Sequence, residues 1–117
     1  MKYILLIHHE EALDEDERQH LLKESVQPAN QLHEKRLYLD AAPLQPTSAT
    51  TSVKVRDGKR LVTDGPFAET REQIGGYFLI EAKDLGEAID IAGRIPAARI
   101  GTVEVRPVRE VEGLPRV

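Results

Sequence analysis

Apolar stretches along the chain predict the strands of one sheet. Tyr3–His8 is a continuous run of β-forming residues, which is typical of a strand covered on both faces. Gly76–Glu81 has the same character, and Thr102–Arg106 alternates polar and apolar positions as a half-buried strand does. Tyr38–Gln45 indicates a further strand that ends before Pro46. These four segments together predict the core sheet.

Two segments with a helical period lie between these strands. An acidic stretch leads into the first helix, where Asp14 and Glu17 have the spacing of a capping box, and the pattern continues to about Arg36. Pro28 falls inside this pattern and is expected to kink the helix or to split it in two. A second helix follows Asp84, and its apolar stripe consists of Leu85, Ala88, Ile89 and Ala92.

Residues 51–63 predict a β-hairpin, because Asp57-Gly58 separates two strands of alternating character. Without this hairpin the order of elements is β-α-β-β-α-β, the ferredoxin-like arrangement. Right-handed crossovers place both helices on one face of an antiparallel sheet whose first strand is central. The sequence therefore predicts a single domain over residues 1–117, with an α+β ferredoxin-like sandwich and an inserted β-hairpin.

The sheet has more apolar surface than two helices can cover. Residues 4–7 of the first strand are all apolar, so both sides of this strand favour burial. A bare apolar sheet face in water is unfavourable, and a second copy packed against it would cover it. We therefore expect a homodimer of the dimeric α/β-barrel type. The alternative is a monomer in which the hairpin or a long loop folds over this face.

Composition narrows the classes of function. The chain has 117 residues and no cysteine, which excludes disulfides, zinc–thiolate sites, iron–sulfur clusters and cysteine nucleophiles. A net charge of -4 argues against sequence-independent binding of nucleic acid. No apolar run approaches the ~18 residues of a membrane span, and the apolar start is too short for a signal peptide. We expect a cytoplasmic protein that has neither nucleic acid nor a membrane as a partner. The spacing of the histidines does not favour a metal site, and we expect no other cofactor.

A long polar loop over residues 64–75 precedes the third core strand and provides candidate catalytic groups. In the predicted topology this loop feeds the sheet end at which the first strand finishes with His8. We expect His8, Asp64 and Glu69 to converge there as acid–base groups, with Phe67 anchoring the loop in the core. The structural alternative is that Asp64 caps amides of its own loop while His8 donates to a loop carbonyl.

Further side chains near this sheet end are candidates for binding a small anionic substrate. They are Arg71 of the loop, Tyr77 of the third core strand and Arg99 after the second helix. Arg99 could equally balance the charge of the acidic N-terminal segment. His9 is expected to face away from His8, because strand residues alternate between faces.

Residues 64–82, which read DGPFAETREQIGGYFLIEA, resemble the signature of the DGPF (DGPFAETKE) branch of the YCII-related family. Arg71 stands where lysine is usual in that signature, and Ile74 where leucine is common. The resemblance extends over nearly the whole chain. It implies a ferredoxin-like fold and a dimeric α/β barrel, and it implies no settled activity.

The resemblance to the broader family also implies a His–Asp pair at a pocket, and at least one relative eliminates chloride from a chlorinated aromatic. The histidine of that pair lies on the first helix, where His20 is its nearest counterpart in this chain. The aspartate precedes a proline after the second helix, where this chain has Ile95 before Pro96, so Asp64 is expected to take its role. Family members also occur beside or fused to extracytoplasmic-function sigma factors.

Two hypotheses follow from these observations. The first is a small cytosolic enzyme of lyase or hydrolase type, with His8 or His20 as the base, Asp64 or Glu69 as the second acid–base group and an arginine for an anionic substrate. The second is a non-catalytic sensor or accessory module whose partner is a sigma factor.

Overall fold

The computed structural model describes residues 1–115, so the last two residues of the predicted domain lie outside the described part. The strands and helices have the following bounds in chain order: β1 (Lys2–His9), α1 (Glu15–Glu34), β2 (Tyr38–Pro43), β3 (Thr51–Arg56), β4 (Lys59–Asp64), β5 (Gln73–Glu81), α2 (Leu85–Gly93) and β6 (Thr102–Pro107). Short 3-10 turns cover Thr47–Ala49 and Pro96–Arg99. Among the described residues, no helix has the combination of length and hydropathy that crossing a bilayer takes.

Four strands form an antiparallel sheet in the order β2-β5-β1-β6. The central position of β1 is the one predicted from the order of the elements. Ile7 lies opposite Gly76, and His8 lies opposite Ile74 after a bulge in the pairing, so the end of β1 adjoins the start of β5 as expected. The chain therefore has an α+β architecture that is compatible with a ferredoxin-like fold.

The two faces of this sheet differ in what covers them. Tyr3 and Leu5 of β1 are buried against the helices, together with Phe78 and Ile80 of β5. The opposite face, which we call the open face, has an apolar centre and a polar rim. Its central side chains are half-buried and comprise Ile4, Leu6, Tyr77 and Leu79.

Helix α1 lies on the sheet mainly through its C-terminal half. The Asp14 carboxylate accepts from the Glu17 backbone N–H at 2.8 Å, which caps the first turn as the spacing predicted. The helix continues through Pro28 as one element of 20 residues, so the expected division into two helices is wrong. Leu32 is its buried residue, and Leu21 and Leu22 of the N-terminal half are only partly covered.

Strands β3 and β4 pair with each other in a separate two-stranded sheet. Asp57 and Gly58 both have positive φ, 52° and 75°, as a two-residue type I′ turn requires. We call residues 51–64 the arm, and nearly all of its side chains are exposed. Phe67, which follows the arm, is 87% exposed, so the prediction that it anchors the loop in the core is wrong.

Candidate functional site

A cleft lies between the N-terminal half of α1 and the helix-covered face of the sheet. It consists of two adjoining hollows with volumes of about 270 Å³ and about 330 Å³. Both hollows are lined by His9, Leu21, Leu22, Pro43 and Gly75. The cleft therefore opens at the sheet end where β1 finishes and β5 begins.

Small side chains leave this space unfilled. Ala29 of α1, Ala41 of β2 and Ala97 of the turn after α2 line the inner hollow, where larger residues would close the gap. Tyr38 and Phe78 provide aromatic walls. The inner hollow is therefore mainly apolar, which suits the uncharged body of a small molecule.

His9 is the histidine that lines this cleft. Its ring lies so close to Gly75 that a Cβ built on that glycine would be 2.3 Å from Nε2. A Cβ on Gly101 would lie 3.0 Å from the His9 Cβ and 2.0 Å from the His8 carbonyl oxygen. Gly75 of β5 thus leaves room for the ring, and Gly101 just before β6 leaves room for the backbone of His8 and His9.

A backbone carbonyl sets the tautomer of His9. Nδ1 lies 2.8 Å from the Glu10 carbonyl oxygen, which can only accept a hydrogen bond. The neutral ring therefore carries its proton on Nδ1 and keeps the lone pair on Nε2. An imidazole with its lone pair in a cleft can act as a general base or as a hydrogen-bond acceptor.

Charged and polar groups surround the mouth of the cleft. Glu11 accepts from both the backbone N–H and the hydroxyl of Thr47, at 2.8 Å and 2.7 Å, and so fixes one side of the mouth. Arg18 lies 3.8 Å from Glu15, which also accepts from the amide of Gln19. Arg18 is thus a cation at the mouth, beside the carboxylates of Glu11 and Glu15.

His8 lies on the open face rather than in the cleft. Its Nε2 is 3.0 Å from a carboxylate oxygen of Glu104 on β6, and the other carboxylate oxygen accepts from Arg106. The guanidinium of Arg106, and secondarily the His8 ring, hold the pKa of the Glu104 carboxyl below its ordinary value.

Two further predicted site residues share a partner outside the cleft. His20 is exposed on α1, with Nε2 3.1 Å from Glu24, and Arg99 donates to the same carboxylate at 2.7 Å. The hydrogen bond from Arg99 is the main reason that the pKa of Glu24 is lowered. This cluster connects α1 to the turn after α2.

The remaining predicted residues have separate neighbours. Asp64 is exposed at the end of β4, opposite Thr51, and Glu69 is exposed in the following loop. Arg71 of the same loop pairs with Glu10. Among residues 1–115, His8, Asp64 and Glu69 therefore have no shared hydrogen-bond or ion-pair partner.

Tyr77 lies on the open face and makes a polar contact there. Its hydroxyl donates to Asp40 at 2.7 Å, and this contact raises the pKa of the phenol. Within residues 1–115, no group of three or more histidine and acidic side chains is placed to hold a metal ion.

Comparison with known proteins places the chain in a family. A model of the YCII-related domain matches residues 1–112, so the chain belongs to the YCII-related family. A protein of Rhizobium meliloti (strain 1021) is 35% identical to it over 122 residues, which cover 92% of this chain and 92% of that protein. That relative is described as uncharacterized, so it adds no activity to the family assignment.

Proposed function

We propose that this protein is a small enzyme of lyase or hydrolase type in which His9 is the general base. The observation that carries the proposal is the contact between Nδ1 of His9 and the Glu10 carbonyl, which leaves Nε2 unprotonated in the cleft. His9 thereby takes the role that the sequence suggested for His8 or His20, both of which lie outside this cleft.

The lining of the cleft indicates the chemical class of the substrate. The apolar inner hollow fits a small aliphatic or aromatic body. Arg18 provides a cation among the carboxylates of the mouth, and an anionic group such as a carboxylate would have to displace Glu15 from it. Nε2 of His9 would remove a proton from a carbon of this ligand in a lyase, or from water in a hydrolase. The imidazolium formed in this step keeps its Nδ1–H bond to the Glu10 carbonyl.

We also assign the chain to the DGPF branch of the family. The segment from Asp64 to Ala82 supports this assignment through its DGPFAET sequence. In this branch Asp64 and Glu69 would belong to the arm and its loop, and not to the acid–base pair expected from the sequence.

We further propose that two copies form a homodimer through their open faces, as a dimeric α/β barrel. Ile4, Leu6 and Leu79 at the centre of that face are only half-buried within one chain. Standard stable interfaces bury roughly 800 Å² per partner, and a face of four strands offers an area of that order. The polar contacts His8–Glu104 and Tyr77–Asp40 lie on this same face.

The function is tested with small carboxylic acids that carry an aliphatic or aromatic body. Binding is followed by NMR shift changes and turnover by mass spectrometry of the products. We expect His9→Gln to lower turnover by about 10²–10⁴-fold, because a side-chain amide cannot accept the proton. The melting temperature should stay close to that of the native protein.

His20→Gln is the matched control, because it removes a histidine outside the cleft. It should leave turnover unchanged. Equal losses in both variants would contradict a base in the cleft. Binding without turnover of any acid in the panel would contradict the enzyme and favour the non-catalytic sensor or accessory module, for which a sigma factor is the partner to test.

A further inference from the structure

The arm exposes a cluster of valines on one side and carries basic residues towards its tip. In its pairing Val53 lies opposite Val62, and Val55 is on the same side. These three valines are each more than half exposed. Arg60, which lies opposite Val55, adds a cation to this side near the turn. The other side carries Lys54 opposite Leu61, and Arg56 opposite Lys59. An amphipathic ribbon of this kind is typical of a segment that packs on another surface.

The arm is poorly supported within its own chain. An isolated two-stranded ribbon is marginally stable in water, and like charges placed opposite one another, as at Arg56 and Lys59, weaken it further. The radius of gyration is 16.0 Å, against roughly 13–14 Å for a compact chain of this length. The arm therefore extends away from the rest of the molecule.

Hydrogen bonds at the base hold the arm in this extended position. The Gly65 N–H donates to the Thr50 carbonyl at 2.7 Å, and the Ser52 hydroxyl donates to the Gly65 carbonyl at 2.7 Å. Strands of six residues reach about 20 Å from this base. The basic tip of the arm is thus held away from the hydrogen bonds of Thr50 and Gly65 that fix its base.

A surface of complementary character lies at the mouth of the cleft. The acidic segment, residues 10–17, contains six carboxylates and no basic residue. The charge of Asp14 is the main reason that the pKa of Glu17 is raised, which shows that negative charge is crowded there. Leu22 and the exposed Val26 of α1 continue from this segment along the cleft.

We propose that the arm of each protomer docks on a second copy of the chain and covers the mouth of that copy's cleft. The valine side would lie on the partner's Leu22 and the partner's Val26. Arg60, on this same side, and Lys59 beside the turn would then lie near the partner's acidic segment. A two-fold axis makes both contacts at once, because each copy has one arm and one cleft. The inference rests on the proposed homodimer, and it makes each cleft complete only in that dimer.

Cross-linking between copies tests this contact, and the absence of native cysteine makes every introduced thiol unique. A Lys59→Cys protein is mixed with an Asp16→Cys protein, subunits are allowed to exchange, and a short bismaleimide is added. We expect the mixed covalent dimer to form about tenfold faster than with Lys35→Cys, because docking raises the effective concentration of the two thiols. Lys35 lies just beyond the other end of α1 and is similarly exposed.

Reversal of charge provides an independent test. The first variant has Lys59→Glu and Arg60→Glu, and the second has Glu15→Lys and Asp16→Lys. In a dimer of either variant with itself, the arm and the partner's acidic segment carry charges of the same sign and repel each other. A mixed dimer restores the attraction at both arms. Native mass spectrometry should therefore show mixed dimers above the statistical proportion.

The outcomes separate this inference from the proposed dimer. If the native protein is a dimer but Lys59→Cys cross-links equally fast to Asp16→Cys and to Lys35→Cys, the docking of the arm is overturned. The same conclusion follows if the two charge-reversal variants form mixed dimers only in the statistical proportion. Either result leaves the dimer through the open face intact. A native protein that is monomeric at micromolar concentration overturns both. Fast cross-linking at Asp16→Cys alone supports the docked arm.

Discussion

At the scale of single residues, glycine on the strands beside β1 sets the position of His9. Gly75 leaves room for the imidazole ring, and Gly101 leaves room for the backbone at His8. The Glu10 carbonyl then selects the tautomer. The position of the proposed base and the tautomer of its neutral ring are therefore both determined by backbone atoms, which do not depend on the rotamer of another side chain.

Gly75→Ala should displace the His9 ring, because the new methyl group would lie 2.3 Å from Nε2. The ring can move away at little cost to the fold, so we expect the free energy of unfolding to change by less than about 1 kcal/mol. Turnover of the cleft's substrate should fall to nearly that of His9→Gln. Denaturant unfolding and the turnover assay measure the two effects.

Gly93→Ala is the matched control, since nothing lies within 4 Å of the Cβ it would add at the end of α2. It should leave turnover unchanged. Full turnover in Gly75→Ala would contradict the proposed role of the His9 position.

The pair formed by Glu104 and Arg106 predicts a dependence of stability on acid. The folded-state pKa of Glu104 lies below the ordinary value of 4.5, so its contribution is present above that value and is lost as the pH falls through the lowered pKa. Glu104→Gln should reduce the loss of stability between about pH 6 and about pH 3.5 in urea unfolding. Arg106→Gln removes the guanidinium that is the main cause of the lowered Glu104 pKa, so it should reduce the acid-induced loss of stability in the same way. An unaltered acid dependence of stability in both variants would refute this role of the pair.

The sequence contained signals for part of this site. Strand alternation was enough to place His9 on the face opposite to His8, and Gly75 next to the end of β1 was a signal of a close approach. The depth of the cleft depends on how far α1 stands from the sheet, which no local pattern encodes. His8, Asp64 and Glu69 have separate neighbours, because Asp64 ends strand β4 of the arm whereas His8 pairs with Glu104 on the open face.

At the scale of elements, α1 is attached to the sheet unevenly. Leu32 near its C-terminal end is buried, whereas Val26 is more than half exposed and the first two turns border the cleft. The gap beneath the N-terminal half is where the proposed ligand would enter. The C-terminal half thus packs in the core, and the N-terminal half borders the proposed site.

Leu32→Ala should lower the free energy of unfolding by about 2–4 kcal/mol, because it leaves a cavity in the core. Val26→Ala should change it by less than about 0.5 kcal/mol, since its side chain is exposed. Urea denaturation measures both values. Comparable losses in the two variants would mean that the N-terminal half is packed as tightly as the C-terminal half.

Most elements were predictable from local patterns, and the exceptions have physical reasons. The apolar run of β1 and the Asp57-Gly58 turn correspond to a central strand and a type I′ turn. Pro28 did not divide α1, because the helix is held by its cap and its packing rather than by each backbone hydrogen bond. Phe67 is exposed in the loop between β4 and β5, where no local pattern determines which way a side chain points.

At the scale of the whole molecule, the open face and the arm both present apolar surface that one chain leaves uncovered. The centre of the open face was expected from the composition of β1 alone. The exposure of the arm was not expected, because hairpin patterns do not show whether a ribbon packs on the body or extends from it. Both surfaces suit the proposed homodimer, in which they would be covered together.

Leu6→Lys should convert the proposed dimer into a monomer, because a charge at the centre of the interface would be desolvated without a partner. Sedimentation velocity at micromolar concentration measures the change. Ile89→Glu is the control, since it places a charge at an exposed apolar position on α2. It should remain dimeric, and a Leu6→Lys protein that also stays dimeric would exclude the open face as the interface.

The proposed base is tested most directly by long-range proton–nitrogen NMR of the histidine rings, assigned with His9→Gln. This experiment distinguishes a proton on Nδ1 from a proton on Nε2. The account predicts that the neutral ring of His9 carries its proton on Nδ1, and that the Nε2 resonance shifts when a small carboxylic acid occupies the cleft. A His9 ring protonated on Nε2, or an Nε2 resonance that no ligand in the cleft changes, would contradict the central claim.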